Sequence, residues 1–205
     1  MEEIINGQLR YIHILDAEAR LRREMDLLVL EQGWMPREQL EEKGHHALWI
    51  PEYELIARWL ANSQGLGLWI SGDIGVGKTL LATQAIPRLI RQQYNIIMSS
   101  YSIPELNAEW QRATRICHIV IDDVAEPVFV NDYGNRHLMF SEVVNQAYNC
   151  HHLLIFTTNL TESQLSNLYG RHITDRLRQM CRHVVINGKS LRGKEKELLS
   201  STIRV

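Results

Sequence analysis

Residues 72–79 read Gly72-Asp73-Ile74-Gly75-Val76-Gly77-Lys78-Thr79, a glycine-rich run that closes on a lysine and a hydroxyl. The spacing is GxxxxGK[ST], the pattern of a phosphate-binding loop. Each residue type has a task there. Glycine lets the backbone turn tightly enough for several N–H groups to converge on phosphate oxygens. A helix opening at the end of the loop adds partial positive charge. Lys78 can reach the β- and γ-phosphates, and the Thr79 hydroxyl can ligate Mg²⁺. With Leu80 at the start of the helix, residues 72–80 form the expected nucleotide-binding segment, and ATP with Mg²⁺ is the expected ligand.

Two further runs end in chemistry. Ile119-Val120-Ile121 is apolar and stops at Asp122-Asp123. A buried strand carries acids only at its tip, because burying a lone charge is costly. Beside a phosphate loop, Asp122 is placed to hold Mg²⁺ and Asp123 to orient and polarise an attacking water. Glu126 is the second candidate for that base. Leu153-Leu154-Ile155-Phe156-Thr157-Thr158-Asn159 repeats the design with a neutral end. Asn159 can hydrogen-bond a water or a γ-phosphate oxygen, or it can be a turn residue leading into the next helix. The adjacent pairs His45-His46 and His151-His152 have no partners at metal-ligand spacing.

These groups need a scaffold that gathers strand ends. Short apolar runs at 68–71, 95–99, 117–121, 153–157 and 184–186 alternate with stretches long enough for crossover helices. The expected fold is therefore α/β, a five-stranded parallel sheet with helices on both faces. Such sheets bind ligands beyond the carboxyl ends of their strands, where the phosphate loop, the acidic pair and Asn159 all fall. The order of the strands is left open. Pro87 is expected to kink the helix after the loop, since it removes a backbone donor and crowds the preceding turn. Thr161 and Gln164 read as a capping box for the helix TESQLSNLYG. Upstream, helices are expected from about Leu9 to Glu31 and across PEYELIARWLANSQG, with a looser Pro- and Gly-containing stretch between them. Residues 1–50 are thus expected to be a helical N-terminal region, either docking a partner or packing on the remainder, and residues 51–205 the nucleotide-binding domain.

Taken together, GDIGVGKT, IVIDD, TTNLT, YGRHITDRLR and GKSLRGK resemble, in order, the AAA+ ATPases of the bacterial replicative helicase loader (DnaC-like) family. The resemblance spans roughly residues 50–195. It implies a P-loop NTPase of AAA+ type, ATP hydrolysis coupled to conformational change, and a role in DNA replication as a helicase loader. Its implied partners are a replicative helicase, single-stranded DNA and further copies of the same chain. Arg176 falls on the family's arginine finger, which reaches the γ-phosphate held by a neighbouring subunit. Arg192 falls near the sensor arginine that contacts nucleotide within its own subunit. The planar fork of arginine suits both tasks.

Three departures stand out. The second acid is Asp123 where AAA+ proteins commonly carry Glu, which points to slow hydrolysis or to ATP acting as a switch. His172 stands where the family often has Arg. The segment SYSIPELNAEWQRATRI is short for a region that commonly lines the single-stranded DNA path. Within it, Tyr101 and Trp110 are aromatic candidates for base stacking or for the core. A transposition helper ATPase and a small-molecule P-loop kinase are the alternative readings.

Composition sets the outer bounds. The 205 residues are 45% hydrophobic and 22% charged, which excludes a disordered or collagen-like chain. Residues 171–205 hold nine Lys/Arg against three Asp/Glu in a chain of net charge -2. That basic end suits an anionic partner or a solvated helix face. Three widely spaced cysteines make no CxxC pair, and no apolar run is long enough to span a bilayer, so the expected location is cytoplasmic, without membrane attachment.

Overall fold

The computed structural model describes residues 3–41, 44, 46–125, 127, 129–132, 135–188 and 190–191. A small hairpin opens the chain, β1 (Ile4–Ile5) with β2 (Gln8–Leu9), followed by an extended strap to Asp16. Helices α1 (Ala17–Glu31), α2 (Arg37–Glu41) and α3 (Glu52–Ala61) come next. Then follow β3 (Gly67–Gly72), α4 (Lys78–Leu80), a π-helical turn (Leu81–Ala85) and α5 (Ile86–Tyr94). β4 (Ser99–Ser102) leads into α6 (Ile103–Ala108), α7 (Trp110–Ala113) and β5 (His118–Val124). A hairpin, β6 (Phe129–Asp132) with β7 (Asn135–Leu138), precedes α8 (Met139–Cys150) and β8 (Leu153–Thr158). The chain continues through α9 (Glu162–Tyr169), α10 (Arg171–Met180) and β9 (Cys181–Ile186).

Five strands form one parallel sheet in the order β4-β5-β8-β3-β9. Side chains alternate across it, as the strand period of two requires. Leu68, Ile70, Val120, Ile155 and Val184 point to one face, where they meet α1, α3 and the helix that follows the phosphate loop. Trp69, Ile119, Ile121, Leu154 and Phe156 point to the other, against α6, α8, α9 and α10. The sheet is buried on both sides, which is why its strands read as unbroken apolar runs.

Several elements depart from the sequence expectation. The second strand lies at Ser99–Ser102 rather than 95–99, because Asn95 adopts the left-handed conformation (φ 55°) that ends α5. Ile97 is left 71% exposed in the connection. The first helix begins at Ala17, not Leu9. Leu9 at the end of β2 and Ile12 and Ile14 in the strap are all buried, which a helical face could not arrange. Their backbone donors are taken by distant partners: Leu9 N–H by His118 Nε2 (2.8 Å), Ile12 N–H by Ser63 Oγ (2.8 Å) and Ile14 N–H by the Leu60 carbonyl (2.9 Å). The apolar stripe of α1 packs into the core, and Arg88 of α5 makes a two-point ion pair with Glu31 (2.9 and 2.6 Å).

Pro87 is met by the π-helical turn directly before it. Proline has no N–H for the Thr83 carbonyl and crowds that turn, and a wider turn relieves both. The capping box at Thr161 and Gln164 is formed, with bonds of 3.3 and 2.8 Å. Tyr101 is buried and Trp110 packs against the second core, so both aromatics contribute to packing.

His118 accepts through Nε2, so it is neutral and carries its proton on Nδ1. Burial, then His152 and Arg10, push its pKa below the usual 6.5, and burial does the same for His152 and His183. As pH falls, the unfolded chain therefore takes up these protons first. Stability is full above about pH 6.5 and declines as the pH drops towards the folded-state values. Thermal midpoints should fall between pH 7.5 and 5, and His118→Gln, which keeps an acceptor but does not titrate, should flatten the fall. An equally steep decline in that variant would show that the strap contact contributes nothing to it.

Candidate nucleotide site

The strand order decides the site. β8 lies between β3, which feeds the phosphate loop, and β5, which carries the acids. The three carboxyl ends stand side by side, with Asn159 just past the middle one.

The loop leaves β3 at Gly72, whose φ of 134° and close approach admit no side chain: a Cβ there would lie 1.9 Å from the Ile186 carbonyl oxygen. Val76 and Leu80 are buried, whereas Ile74 is exposed at the crest. Lys78, only 7% exposed, turns its ammonium back into the loop. It donates to the carbonyls of Gly72 (3.0 Å) and Asp73 (2.6 Å) and to Asn159 Oδ1 (2.7 Å). The chain after β9 runs alongside. Asp73 N–H donates to the Ile186 carbonyl (3.1 Å), Gly188 N–H to Asp73 Oδ2 (3.0 Å), and Leu191 N–H to the Gly75 carbonyl (2.9 Å).

The acids sit on a bulge. The register between β5 and β8 shifts between Ile121 and Val124, and Asp123 is left-handed with φ 54°. On a regular strand, neighbouring residues point to opposite faces. The bulge instead lets both acids serve one site, and aspartate tolerates this conformation better than most residues. Asp122 Oδ1 accepts from Thr79 Oγ1 (3.1 Å) and Thr157 Oγ1 (2.6 Å). Asp123 Oδ1 accepts from Asn159 Nδ2 (3.0 Å). The Asn159 amide thus faces the ammonium with its oxygen and the carboxylate with its nitrogen, the orientation both charges demand. Thr79 and Asp122 supply adjacent hard oxygens, a donor pair that suits Mg²⁺.

Sequence reasoning missed Thr157 and Thr158. Thr157, 1% exposed, donates to Asp122 and accepts from the Asp123 N–H (2.8 Å). Thr158 donates to the Val124 carbonyl and accepts from the Leu160 N–H. Two hydroxyls at the end of an otherwise apolar strand were the available signal, since a buried hydroxyl needs partners.

Arg176 is not part of this cluster. It lies on α10, half-buried, donating to Asn145 Oδ1 and resting 5.0 Å over the Tyr148 ring, both on α8. That is the sheet face opposite the phosphate-loop helix. Arg192 and Glu126 lie outside the described residues.

Comparison with known proteins bears on the fold. The chain is similar in fold to the DnaC helicase loader (TM-score 0.51, 21% identity, covering 59% of this chain and 78% of that one). It is similar also to DnaI (TM-score 0.56, 21% identity, 77% and 94%). The replication initiator DnaA, bound to AMPPCP and single-stranded DNA, matches with TM-score 0.54 and 16% identity, over 84% of this chain and 57% of that one. A family model described as Nephrocystin 3, N-terminal, matches residues 46–125, from before α3 to just past the acidic strand. No match to a curated protein sequence was found. The fold is that of the α/β P-loop NTPases. Among the described residues, no helix is long and apolar enough to cross a membrane.

Two outcomes are expected. Lys78→Ala should lose most affinity for ATP while its thermal unfolding stays cooperative; a folded variant with unchanged affinity would remove the loop from the site. Asp122→Asn should weaken Mg²⁺-dependent binding, whereas Asp123→Asn should keep ATP bound and lose turnover. Equal phosphate release by wild type and Asp123→Asn would move the base elsewhere.

Proposed function

We propose that the chain binds ATP with Mg²⁺ and hydrolyses it as a self-associating AAA+ ATPase, acting in DNA replication as a helicase loader. The observation that carries the reading is the Asn159 amide, which spans the Lys78 ammonium and the Asp123 carboxylate from the strand between them. A phosphate-binding charge and a candidate base are thereby held at fixed separation by a neutral group.

In this reading the N–H groups of residues 72–80 and the Lys78 ammonium bind the phosphates. Thr79 and Asp122 would hold the metal ion, which would supply positive charge to the phosphate oxygens. The Asp123 carboxylate accepts a hydrogen bond from water and orients it. Asn159 keeps Asp123 turned towards that water and shares its oxygen with Lys78. Arg192 would contact nucleotide in its own subunit; support comes from its neighbour Leu191, bonded to the loop at Gly75. Arg176 faces away from its own phosphate loop and would serve the site of an adjacent subunit. The loader role rests on the likeness in fold to DnaC and DnaI and on the motif order. A replicative helicase is the proposed partner, and contact with single-stranded DNA is proposed by analogy with the DnaA complex.

Arg176→Ala should bind ATP normally and lose turnover. Mixed with Lys78→Ala it should regain part of the activity, because one interface then combines an intact loop with an intact arginine. Arginine fingers contribute roughly 10³–10⁵ in rate, so the background should be low. Phosphate release proportional to protein concentration down to the monomeric range, with no recovery on mixing, would exclude a shared site. Capture of a replicative helicase by the ATP-bound protein, against none by Lys78→Ala, tests the loader role itself.

A further inference from the structure

Tyr53 belongs to α3, well outside the GDIGVGKT motif, and is fully buried. Its hydroxyl donates to the Val76 carbonyl at 2.7 Å. Gly77 makes room for this contact, since a Cβ there would lie 2.4 Å from Tyr53 Oη. Burial holds the phenol's pKa up at about 12, so the hydroxyl stays protonated as a donor. Behind Tyr53 stands Trp49, whose ring meets it edge-on with centroids 5.5 Å apart. Arg22 of α1 lies 3.9 Å over the Trp49 ring and is paired with Glu18 at 2.8 Å.

The peptide unit is planar and trans, so the Val76 carbonyl and the Gly77 N–H point in opposite directions. Holding the carbonyl against α3 therefore aims the Gly77 N–H away from α3. Glycine at 77 offers little steric resistance to rotation of that peptide, and a rotated peptide would present an oxygen where a donor is needed. We propose that Tyr53 is a positioning residue for the phosphate loop: its hydroxyl fixes the 76–77 peptide so that the Gly77 N–H faces phosphate, and α1 braces it through Arg22 and Trp49. The proposal rests on the reading of the loop as an ATP site and extends that site to α3 and α1.

Tyr53→Phe removes the hydroxyl and keeps the ring. Its affinity for ATP and for inorganic tripolyphosphate should fall by roughly 2- to 10-fold, the worth of one hydrogen bond. Arg22→Gln, a change at the surface, should weaken both ligands in the same direction by a smaller factor. Unchanged affinities in Tyr53→Phe overturn the proposal, including the case in which only its thermal midpoint drops, because that is the behaviour of a packing residue. Should Tyr53→Phe fail to fold, Arg22→Gln decides, and unchanged affinity there overturns the brace. Wild-type protein that binds neither ligand overturns the ATP site itself and Tyr53's role with it, an outcome distinct from equal binding by wild type and variant.

Discussion

The Asn159 amide joins the two halves of the candidate site, and the sheet order makes that contact available. Were β5 next to β3, the acids would adjoin the loop and no neutral group would stand between ammonium and carboxylate. Opposite charges at contact distance attract, and a direct pair would spend each on the other. With β8 interposed, Lys78 remains tied to its own loop carbonyls and Asp123 to an amide that can release it. The strands flanking β8 then only need to bring their ends level.

The same logic explains the threonines below Asn159. Two acids at one strand tip repel each other, and a regular strand would send one of them to the wrong face. The bulge at Asp123 solves the geometry but opens the β5–β8 ladder. Thr157 and Thr158 replace the lost ladder bonds with hydroxyl bonds to Asp122, to the Asp123 N–H and to the Val124 carbonyl. These hydroxyls are therefore part of the sheet as well as part of the site.

Much of this was legible in the sequence where chemistry and spacing coincide. The phosphate loop needs glycines and a lysine at set intervals, and buried parallel strands need unbroken apolar runs, so both could be read directly. Strand order could not, because every apolar run here suits any interior position. The bulge escaped notice because IVIDDV reads as a plain strand until its partner is known. Leu9, Ile12 and Leu15 imitate a helical stripe, yet Leu15 is 70% exposed while the strap around it is held by Ser63, Tyr94 and His118, contacts far away in sequence. Tyr53 was invisible for the same reason: its partner is a backbone carbonyl, which leaves no mark on residue type.

The π-helical turn has a consequence for how the lysine is aimed. Leu81 and Ala82, Ala85 and Ile86, and Leu89 and Ile90 are all buried. These doublets recur every four residues, whereas an α-helix turns every 3.6, so a plain helix would rotate its buried stripe by about 40° at each step. The wider turn takes up that drift and keeps the stripe straight along the sheet. The rod from Lys78 to Tyr94 is thus phased like a gear, with the angle of its head set by the packing of its tail. Wound as plain α-helix with every residue kept, the same stretch would leave the leading lysine turned by about 80° relative to the core, two steps of that drift.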